Sequence, residues 1–409
     1  MGIYLIASFV PMGLNLLLMP LFSIYMEKRD FAIVSYFNSF HSLLFPFILF
    51  YLNQYYMREF FYRDEREKEI LYANMYKSFL FIPFIGAAVS SIMIFLYMCF
   101  FNADSTLAFF PYGPLTFFSI AFTGLYYIEQ VELKNRRNAK GFLFIILFYS
   151  LTNASVSAVL VALMQLNALG RVLGVFIASV AVFVLLLLKN WKRIRDISID
   201  WKLLKDAVLF CYPLVLAAML GFFSNGLDKV ILEKNVPIDQ LGIYAIGFTI
   251  GGALSVFSTS IGNTFSPDIL ESLAQKNFRR MFKFAMFQLV IMFFVVLIFV
   301  FSAKILIILF TANRYVEATT VARITAFGAL TSIMYSVVSN ILFSYKKTYL
   351  FVYTKIIGSI ICLGMYMFLI ERFKIIGAAI GYVCGNIVFS IVASTLLIIS
   401  LKKDKKRLL

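Results

Sequence analysis

The chain alternates between apolar runs of about 20 residues and short polar segments, and the pattern recurs about 12 times. Residues 172–188 and 282–301 are two of these runs. About 20 apolar residues in a helix are enough to cross a hydrocarbon core of about 30 Å. A helix also satisfies its own backbone hydrogen bonds, which lipid cannot do. The pattern therefore predicts an all-α polytopic membrane protein.

The apolar runs define the predicted membrane helices and the two longest polar interruptions between them. The interruptions cover residues 54–76 and 189–205. The second lies at the midpoint of the chain and contains Trp191 and Trp201, the only tryptophans. Tryptophans next to basic residues are typical of an interfacial segment. The helices are predicted at 3–24, 31–53, 77–99, 109–131, 141–163, 169–188, 206–232, 242–264, 281–302, 320–343, 350–370 and 375–400.

The two halves of the chain resemble each other at an offset of about 207 residues. The pair Gly170 and Gly174 corresponds to the pair Gly377 and Gly381. Small residues at this spacing allow close helix packing in lipid. Each half has six predicted helices that start on the same side, so the halves form a parallel repeat, and transporters built in this way bind cargo between their halves. We expect two six-helix bundles related by a parallel pseudo-two-fold axis, as in MATE-like folds. The predicted domains are 1–190 and 206–401 for the bundles, 191–205 for a basic linker and 402–409 for a basic tail.

Composition and charge agree with this topology. The chain is 62% hydrophobic and only 14% charged, which excludes a soluble domain of 409 residues. A net charge of +16 would suggest nucleic acid in a soluble protein, but here the basic clusters fall in every second loop. The positive-inside rule then places these loops and both termini in the cytoplasm, and no nucleic-acid partner is expected. The clusters are Arg58/Arg63/Arg66/Lys68, Lys134/Arg136/Arg137/Lys140, Lys189/Lys192/Arg193/Arg195/Lys202/Lys205, Lys276/Arg279/Arg280/Lys283, Lys346/Lys347 and Lys402/Lys403/Lys405/Lys406/Arg407.

The sequence offers no chemistry for catalysis or metal binding. The four cysteines lie in or beside apolar runs without paired spacing, and His41 is the only histidine. We therefore expect the cysteines to be buried apolar groups, with no metal site and no cofactor. Phosphate-binding glycine loops, nucleophile elbows and zinc motifs are also lacking. A channel would need a selectivity filter, and none is evident. The amino terminus shows no basic region or cleavage site of a signal peptide. We expect a transporter and not an enzyme.

Ionisable residues inside the apolar runs are the candidate functional groups, because each costs about 2.5–3.5 kcal/mol to insert. Asp228 and Lys229 in the seventh helix are adjacent and cannot share one helix face. Two interpretations stay open for them: the helix ends near Val230 and both lie among headgroups, or Asp228 lines the cavity as a cation or proton site. Under the second interpretation Asn225 lies one turn deeper. Asn15 in the first helix, like Asn153 in the fifth, is a buried amide that could join helices.

Four cations in the spans form the candidate substrate site: Arg171, Lys229, Arg323 and Lys355. Lys355 is isolated among apolar residues, and it either faces the cavity or extends its ammonium to the interface. Arg171 and Arg323 lie near the outer ends of their helices, where headgroup contact and function are both plausible. Because these cations outnumber Asp228, they favour an anionic cargo such as a phosphate.

Two further sets of residues have ordinary structural interpretations. Glu129 and Glu132, at the inner end of the fourth helix, are expected to pair with Lys134 or Arg136. Prolines free backbone carbonyls and kink helices, and kinks in the first and seventh helices would suit alternating access. The prolines concerned are Pro11, Pro20, Pro46, Pro83 and Pro213.

Several local strings resemble the Wzx-type polysaccharide repeat-unit flippases, a family of the multidrug/oligosaccharidyl-lipid/polysaccharide (MOP) exporter superfamily. The strongest is Tyr212-Pro213, followed by Asp228-Lys229 and then by Leu241-Gly242-Ile243-Tyr244, which is similar to that family's P…D-[KR]…G-x-Y signature. Further similar strings are Pro20 before the first outer loop, Tyr55-Tyr56-Met57-Arg58-Glu59, and Gly170-Arg171 with Gly174. The chain departs from the family at Phe31-Ala32, where Phe-Gly is common.

The resemblance implies movement of an undecaprenyl-diphosphate-linked oligosaccharide to the outer leaflet of the bacterial inner membrane, in O-antigen, capsule or lipopolysaccharide biosynthesis. It also implies cation-coupled alternating access, driven by H⁺ or Na⁺, and membrane partners that assemble the polymer. Asp228 is then the residue for coupling or gating, with Asn225 and Asn15 as its candidate companions, and the four cations are assigned to the diphosphate or the sugars.

Three other functions are compatible with the sequence. A drug/cation antiporter of the same superfamily would need cavity carboxylates and no excess of cations. A peptidoglycan-precursor flippase usually has 14 helices, against about 12 here. A non-transporting membrane scaffold for glycan synthesis would tolerate the loss of cavity charges.

Overall fold

The computed structural model describes residues 2–102, 105–275, 277–344 and 348–407. Lys276, Lys346 and Lys347 of the predicted basic clusters lie outside these ranges. The side chains of Asn225 and of the tail 402–409 are likewise outside the described part. The described chain divides into two compact units, residues 1–222 and 223–409.

The first unit contains eleven α-helices and two short irregular helical segments. A 3₁₀ turn covers Phe60–Tyr62, and a π-helical segment at Val159–Leu163 extends α9. The helices are α1 (Gly2–Tyr25), α2 (Lys28–Ser39), α3 (His41–Leu49), α4 (Leu52–Glu59), α5 (Glu65–Ser78), α6 (Ile82–Phe101), α7 (Tyr112–Phe122), α8 (Gly124–Asn135), α9 (Ala139–Ala158), α10 (Asn167–Ile194) and α11 (Trp201–Met219).

The second unit begins with a four-residue helix at the boundary, and its other helices are longer. The last of them bends sharply at Lys374, whose φ is 52°, so it forms two arms. The helices are α12 (Phe222–Asn225), α13 (Leu227–Asn235), α14 (Ile238–Gly252), α15 (Leu254–Ala274), α16 (Phe278–Phe310), α17 (Thr319–Ser344) and α18 (Thr348–Arg407).

The predicted polytopic all-α fold is confirmed. In the described residues, 8 helices are long and apolar enough to cross a membrane, or 9 with the pair α2–α3, which is bent by 41°. The shorter apolar helix Phe9–Tyr25, the broken pair α7–α8 and the second arm of α18 account for the other three predicted spans. Several predicted spans are thus broken helices. The sequence does not reveal these breaks, because the apolar run continues through each of them.

Two polar or proline-containing segments differ from the sequence-based expectation. The polar interruption at 54–76 is largely helical, since Asp64 caps α5 by accepting a hydrogen bond from the Glu67 backbone N–H. Pro83 does not kink a helix. It lies at the start of α6, where a missing N–H costs nothing because the first turn has no partner for it. Pro11, Pro20, Pro46 and Pro213 do lie inside helices.

The two glycine pairs mark close helix contacts in both units. A Cβ atom on Gly174 would lie 2.0 Å from Ser157 Oγ, and one on Gly170 would lie 3.0 Å from the Leu160 backbone. In the second unit, a Cβ on Gly377 would lie 2.0 Å from the Leu369 carbonyl oxygen. Each pair therefore lets the sixth helix of its half approach the helix before it, as the spacing predicts.

The first unit extends through α11, whereas the sequence suggests a boundary at 191–205. Phe210 of α11 packs 5.7 Å from the Tyr55 ring and lies under the Arg58 guanidinium at 4.6 Å. The Cys211 thiol donates to the Tyr51 carbonyl over 3.3 Å. These contacts hold the first part of the predicted seventh span on α4. The division into domains stays a prediction, with this difference in the position of the break.

The cysteines differ from one another in burial. Cys211 and Cys362 are buried and Cys384 is half-buried, as expected of apolar groups. Cys99 is exposed on α6, so the expectation of burial is wrong for this residue. Its helix also exposes Phe95, Leu96 and Phe100, which is typical of a surface that faces lipid.

Candidate functional site

Arg171 lies in a polar pocket of the first unit. Its guanidinium donates to Asn15 Oδ1 at 2.5 Å, to Ser157 Oγ at 3.1 Å and to Asn153 Oδ1 at 3.5 Å. It also stacks on the Phe22 ring at 4.7 Å. The pocket has a cavity volume of about 40 Å³. Its lining residues are Pro11, Leu14, Asn15, Leu18, Tyr149, Ser150, Asn153, Ala154 and Arg171.

The charge of Arg171 is surrounded by neutral oxygen atoms. No described carboxylate forms an ion pair with it, although α10 is an apolar helix of membrane-spanning length. The hydroxyl of Ser150 is buried in the pocket wall without a hydrogen-bond partner among described residues. An uncompensated cation at membrane depth marks a functional site by default. The pocket can therefore attract an anion and offer it hydrogen bonds.

Asp228 is fully buried in the second unit, near the first turn of α13. The helix breaks before it at Gly226, so α12 ends at Asn225 and α13 begins at Leu227. Tyr244 of α14 donates its hydroxyl hydrogen bond to Asp228 Oδ2. Oδ1 is buried and has no hydrogen-bond partner among the described residues. Leaving a buried polar atom unpaired costs about 1–3 kcal/mol, so this oxygen is suited to receive a proton or a cation.

Lys229 lies beside Asp228 in the chain but turns to a different set of neighbours. Its ammonium lies 4.3 Å from the centre of the Phe248 ring, and the Tyr382 ring packs edge-on against Phe248 at 4.9 Å. The residue is 7% exposed. No ion pair of Lys229 is formed within the described part of the chain. The ring quadrupole stabilises a cation over an aromatic face without neutralising its charge.

Lys355 and Arg323 have different environments. The Lys355 ammonium lies 4.9 Å from the Tyr335 ring and 4.7 Å from the Phe389 ring, and these rings pack 5.8 Å apart. It therefore points towards α17 and the second arm of α18. Arg323 is exposed, and its Nε donates to the Val300 carbonyl of α16 at 3.1 Å.

The structure groups these residues differently from the sequence-based assignment. Asn15 accepts from Arg171 in the first unit and is exposed, so the expectation that its amide is buried is wrong. Asp228, Lys229, Arg323 and Lys355 belong to the second unit. The side chain of Asn225 lies outside the described residues. The roles assigned to all seven residues stay predictions.

A second charged cluster joins the helix ends of the first unit. Glu132 is 2% exposed and accepts from the Tyr56 hydroxyl, from Arg136 Nε at 2.6 Å and from Arg193 at 2.6 Å. Both arginines also bind Glu69, at 2.7 Å for Arg136 and at 2.5 and 2.8 Å for Arg193. The expected pairing of Glu132 with Arg136 is confirmed. We call these five residues the inner cluster.

Glu129 forms a parallel set of contacts one turn earlier on α8. It accepts from the Tyr72 hydroxyl at 2.6 Å, from Lys189 at 2.9 Å and from Asn190 at 3.1 Å. The ion-pair partner of Glu129 is thus Lys189, and the expectation that Glu129 pairs with Lys134 or Arg136 is wrong. The Lys134 ammonium lies over the Phe142 ring at 4.9 Å.

Two groups at the edge of this region have shifted acid–base properties with clear causes. Burial and then the negative charge of Glu132 raise the pKa of Tyr56 well above its usual value, so its hydroxyl stays a donor. Burial lowers the pKa of Lys134. The inner cluster thus keeps Tyr56 neutral and Glu132 as an acceptor, which is the arrangement of a fixed brace.

Sequence reasoning missed the partners in both regions. Tyr244 belongs to the Gly-x-Tyr string, but its contact with Asp228 crosses the turn between α13 and α14. Arg193 belongs to a basic cluster of the sequence, but its partners Glu69 and Glu132 lie 124 and 61 residues away, so no local signal links it to them.

Comparison with known proteins agrees with these features. Residues 66–269 match a family described as "Polysaccharide biosynthesis protein". An "Uncharacterized membrane protein" of Haemophilus influenzae is 23% identical over 278 residues, which is 67% of this chain. The matched region spans 65% of that relative's length, slightly less than two thirds.

Solved transporter structures share the whole fold. An inward-facing multidrug resistance MATE family transporter of the MOP superfamily matches with a TM-score of 0.77 and 13% identity, over 97% of this chain and 96% of its own. The lipid II flippase MurJ in an inward closed conformation matches with a TM-score of 0.71 and 16% identity, over 96% of this chain and 86% of its own. The chain is a multi-pass membrane protein with a MATE-like fold, and its resemblance to a polysaccharide biosynthesis family is confirmed.

Proposed function

We propose that this protein moves an undecaprenyl-diphosphate-linked oligosaccharide repeat unit across the bacterial inner membrane, with both termini in the cytoplasm. The observation that carries the proposal is the half-buried guanidinium of Arg171, which neutral oxygens hold and no described carboxylate neutralises. The match to a polysaccharide biosynthesis family supports a glycan-linked anion as the ligand of this cation. A lipid diphosphate is the anionic cargo that such a family would handle.

Arg171 and Lys229 are the cations that we assign to the cargo in the first and second units. Both lie on buried or half-buried sites, and a charge-assisted hydrogen bond to phosphate is strong where water is excluded. The polar pocket beside Arg171 provides amide and hydroxyl groups suited to sugar hydroxyls. We assign Lys355 and Arg323 to the same anionic cargo at a later stage of its passage.

Asp228 is the residue that we assign to coupling. Its unpaired Oδ1 is the oxygen that would take up a proton or a monovalent cation, while Tyr244 holds the other oxygen in place. Uptake neutralises the carboxylate, and the neighbouring Lys229 then becomes the dominant charge of α13. Binding of the coupling ion would therefore strengthen the attraction of this region for an anion.

The test uses proteoliposomes that contain a lipid-diphosphate oligosaccharide, and it scores the access of that lipid to an external glycosidase under imposed H⁺ or Na⁺ gradients. Wild type is compared with Asp228→Asn, Arg171→Gln and Lys355→Ala. We expect each variant to lose about tenfold or more of the rate, because a hydrogen bond to a charged group contributes about 1.5–3 kcal/mol. Asp239→Asn, an exposed carboxylate on α14, is the matched control and keeps its rate.

Other outcomes would assign a different cargo. Drug cations that move while the lipid stays would support the antiporter that the MATE fold also accommodates. Transfer of a peptidoglycan precursor in preference to the oligosaccharide lipid would support a function like that named for the MurJ structure. Unchanged transfer in all three variants would show that these three charged side chains do not take part in transport.

A further inference from the structure

The end of α10 carries a lipid-facing stripe that finishes in aromatic and basic side chains. Ile177, Val184, Leu188 and Trp191 are all at least 40% exposed, and their spacing of seven, four and three residues puts them on one helix face. Lys192 lies beside Trp191 and is exposed. The stripe therefore passes from purely apolar residues to a tryptophan and a lysine within the last two turns.

The start of α11 carries the same gradient in the opposite direction. Trp201 is 67% exposed, and Leu209, Tyr212 and Leu216 follow it as exposed residues on one face. Lys202 and Lys205 are exposed at the Trp201 end. Both helices thus place a tryptophan and lysines at the end that adjoins the segment between Ile194 and Trp201.

That connecting segment is held in a fixed position by the first unit. Lys77 of α5 donates to the carbonyls of Arg195, at 3.4 Å, and Ile197. The Asp200 backbone N–H donates to Asn74 Oδ1 at 2.6 Å, and the Asp200 carboxylate caps α11 through the N–H groups of Lys202 and Leu203. The two tryptophans are therefore presented by a rigid surface.

The lysines of this surface are available for an external anion. Lys192, Lys202 and Lys205 form no ion pair within the described part of the chain, whereas the nearby Lys189 pairs with Glu129 and Arg195 pairs with Asp196. Tryptophan is favoured at the headgroup level of a bilayer, and lysines at the same depth attract anionic lipids. We call the set Trp191, Lys192, Trp201, Lys202 and Lys205 the headgroup ledge.

We propose that the headgroup ledge is a binding site for anionic phospholipid, with the phosphate group at the lysines and the glycerol region against the two tryptophans. The observations that carry it are the two matching exposure gradients and the three unpaired lysines on a fixed segment. The site is separate from the pocket of Arg171 and from Asp228. It does not depend on the identity of the transported cargo.

The test uses the only two tryptophans of the chain as reporters. The full-length protein is placed in nanodiscs of zwitterionic lipid that contain a fixed small fraction of either phosphatidylglycerol or phosphatidylcholine brominated on acyl carbons close to the glycerol. Tryptophan quenching then measures which lipid occupies the ledge. We expect the brominated anionic lipid to bind about fivefold more strongly, which is the effect of one lysine at an anionic surface.

Variants separate a built site from general surface charge. Lys202→Gln/Lys205→Gln should reduce the preference about fivefold or more, because each lysine contributes about that factor. The matched control Lys304→Gln/Lys374→Gln removes two exposed lysines from other parts of the chain and should preserve the preference. Trp191→Phe and Trp201→Phe assign the signal to each tryptophan.

Three results would overturn the proposal. Equal quenching by both lipids in the wild type would show that the ledge does not prefer anionic lipid. Absence of quenching by either lipid would show that the ledge does not face the bilayer. An equal loss of preference in the control variant would show that only diffuse positive charge is involved.

Discussion

Glu132 is a buried carboxylate with two arginine partners. Tyr56, Arg136 and Arg193 all donate to it, and both arginines also bind Glu69. Because the guanidinium groups are planar, each arginine can bridge two carboxylates at once. The inner cluster therefore ties α4, α5, α8 and α10 together at one end of the first unit.

Glu132→Gln barely changes the volume of the side chain, but it should lower the stability of the first unit because it removes the negative charge. We expect Glu132→Gln to lower the stability of the protein by about 3 kcal/mol, because the loss of one partner leaves buried charge uncompensated. The midpoint of heat-induced unfolding in detergent measures the effect. Glu67→Gln, an exposed carboxylate on α5, is the control. Equal shifts in the two variants would show that the inner cluster contributes no special stability.

At this scale, sequence reasoning succeeds for partners that are close in the chain and fails for distant ones. Glu132 and Arg136 are four residues apart on a helix, so their pairing can be read from spacing. Arg171 and Asn15 are 156 residues apart, and nothing in their local sequence links them. Asp228 and Tyr244 are only 16 residues apart, but their contact depends on the turn that follows α13.

Helix packing depends on single glycines at the closest approaches. Gly174 of α10 faces Ser157 of α9 so closely that an added Cβ would lie 2.8 Å from the Ser157 Cα atom. We expect Gly174→Ala to cost about 1–3 kcal/mol, as overpacking does in dense cores, and to reduce the yield of folded protein. Gly364→Ala is the control, since nothing lies within 4 Å of the new Cβ.

Size-exclusion chromatography measures the folded fraction of the Gly174→Ala and Gly364→Ala variants, and heat-induced unfolding measures their midpoints. Alanine at position 364 should be neutral or slightly stabilising, because alanine favours helix over glycine. If Gly174→Ala folds as well as Gly364→Ala, α9 and α10 must be able to separate without cost, and the close packing of the glycine pair would not matter for stability.

Helix lengths and helix breaks differ in how well they can be predicted. Run length alone places the long helices α10, α16 and α17 close to their observed positions. The bend of 41° between α2 and α3 and the left-handed residues Phe50 and Tyr51 after α3 are invisible to hydropathy, because apolar residues continue through them. The helix α5 was hidden for the opposite reason, since its first turns are rich in charge but its last turns are buried.

At the level of the whole molecule, composition and periodicity determine the fold class, because an apolar surface of this size requires lipid. The MATE-like fold follows from 12 spans in two similar halves, and the solved transporters agree with it. The same fold serves proteins named for drugs and for lipid II. The fold therefore does not identify the cargo, and the proposed roles of Arg171 and Asp228 rest on their individual side chains, which composition cannot reveal.

Orientation in the membrane is the remaining property of the whole chain that charge predicts. Basic residues are concentrated in every second loop, including the segment between α10 and α11. The positive-inside rule places that segment in the cytoplasm and the segment between α13 and α14 outside. Single cysteines at Ser198 and at Asp239, both exposed positions, test this in a variant that lacks the four native cysteines.

We expect a membrane-impermeant maleimide to label Asp239→Cys in intact cells and Ser198→Cys only after the membrane is permeabilised. This pattern would put the inner cluster and the headgroup ledge at the cytoplasmic face, because both adjoin the segment that contains Ser198. The reverse pattern would mean that positive charge does not set the orientation of this chain. The headgroup ledge and the inner cluster would then lie at the outer face of the membrane.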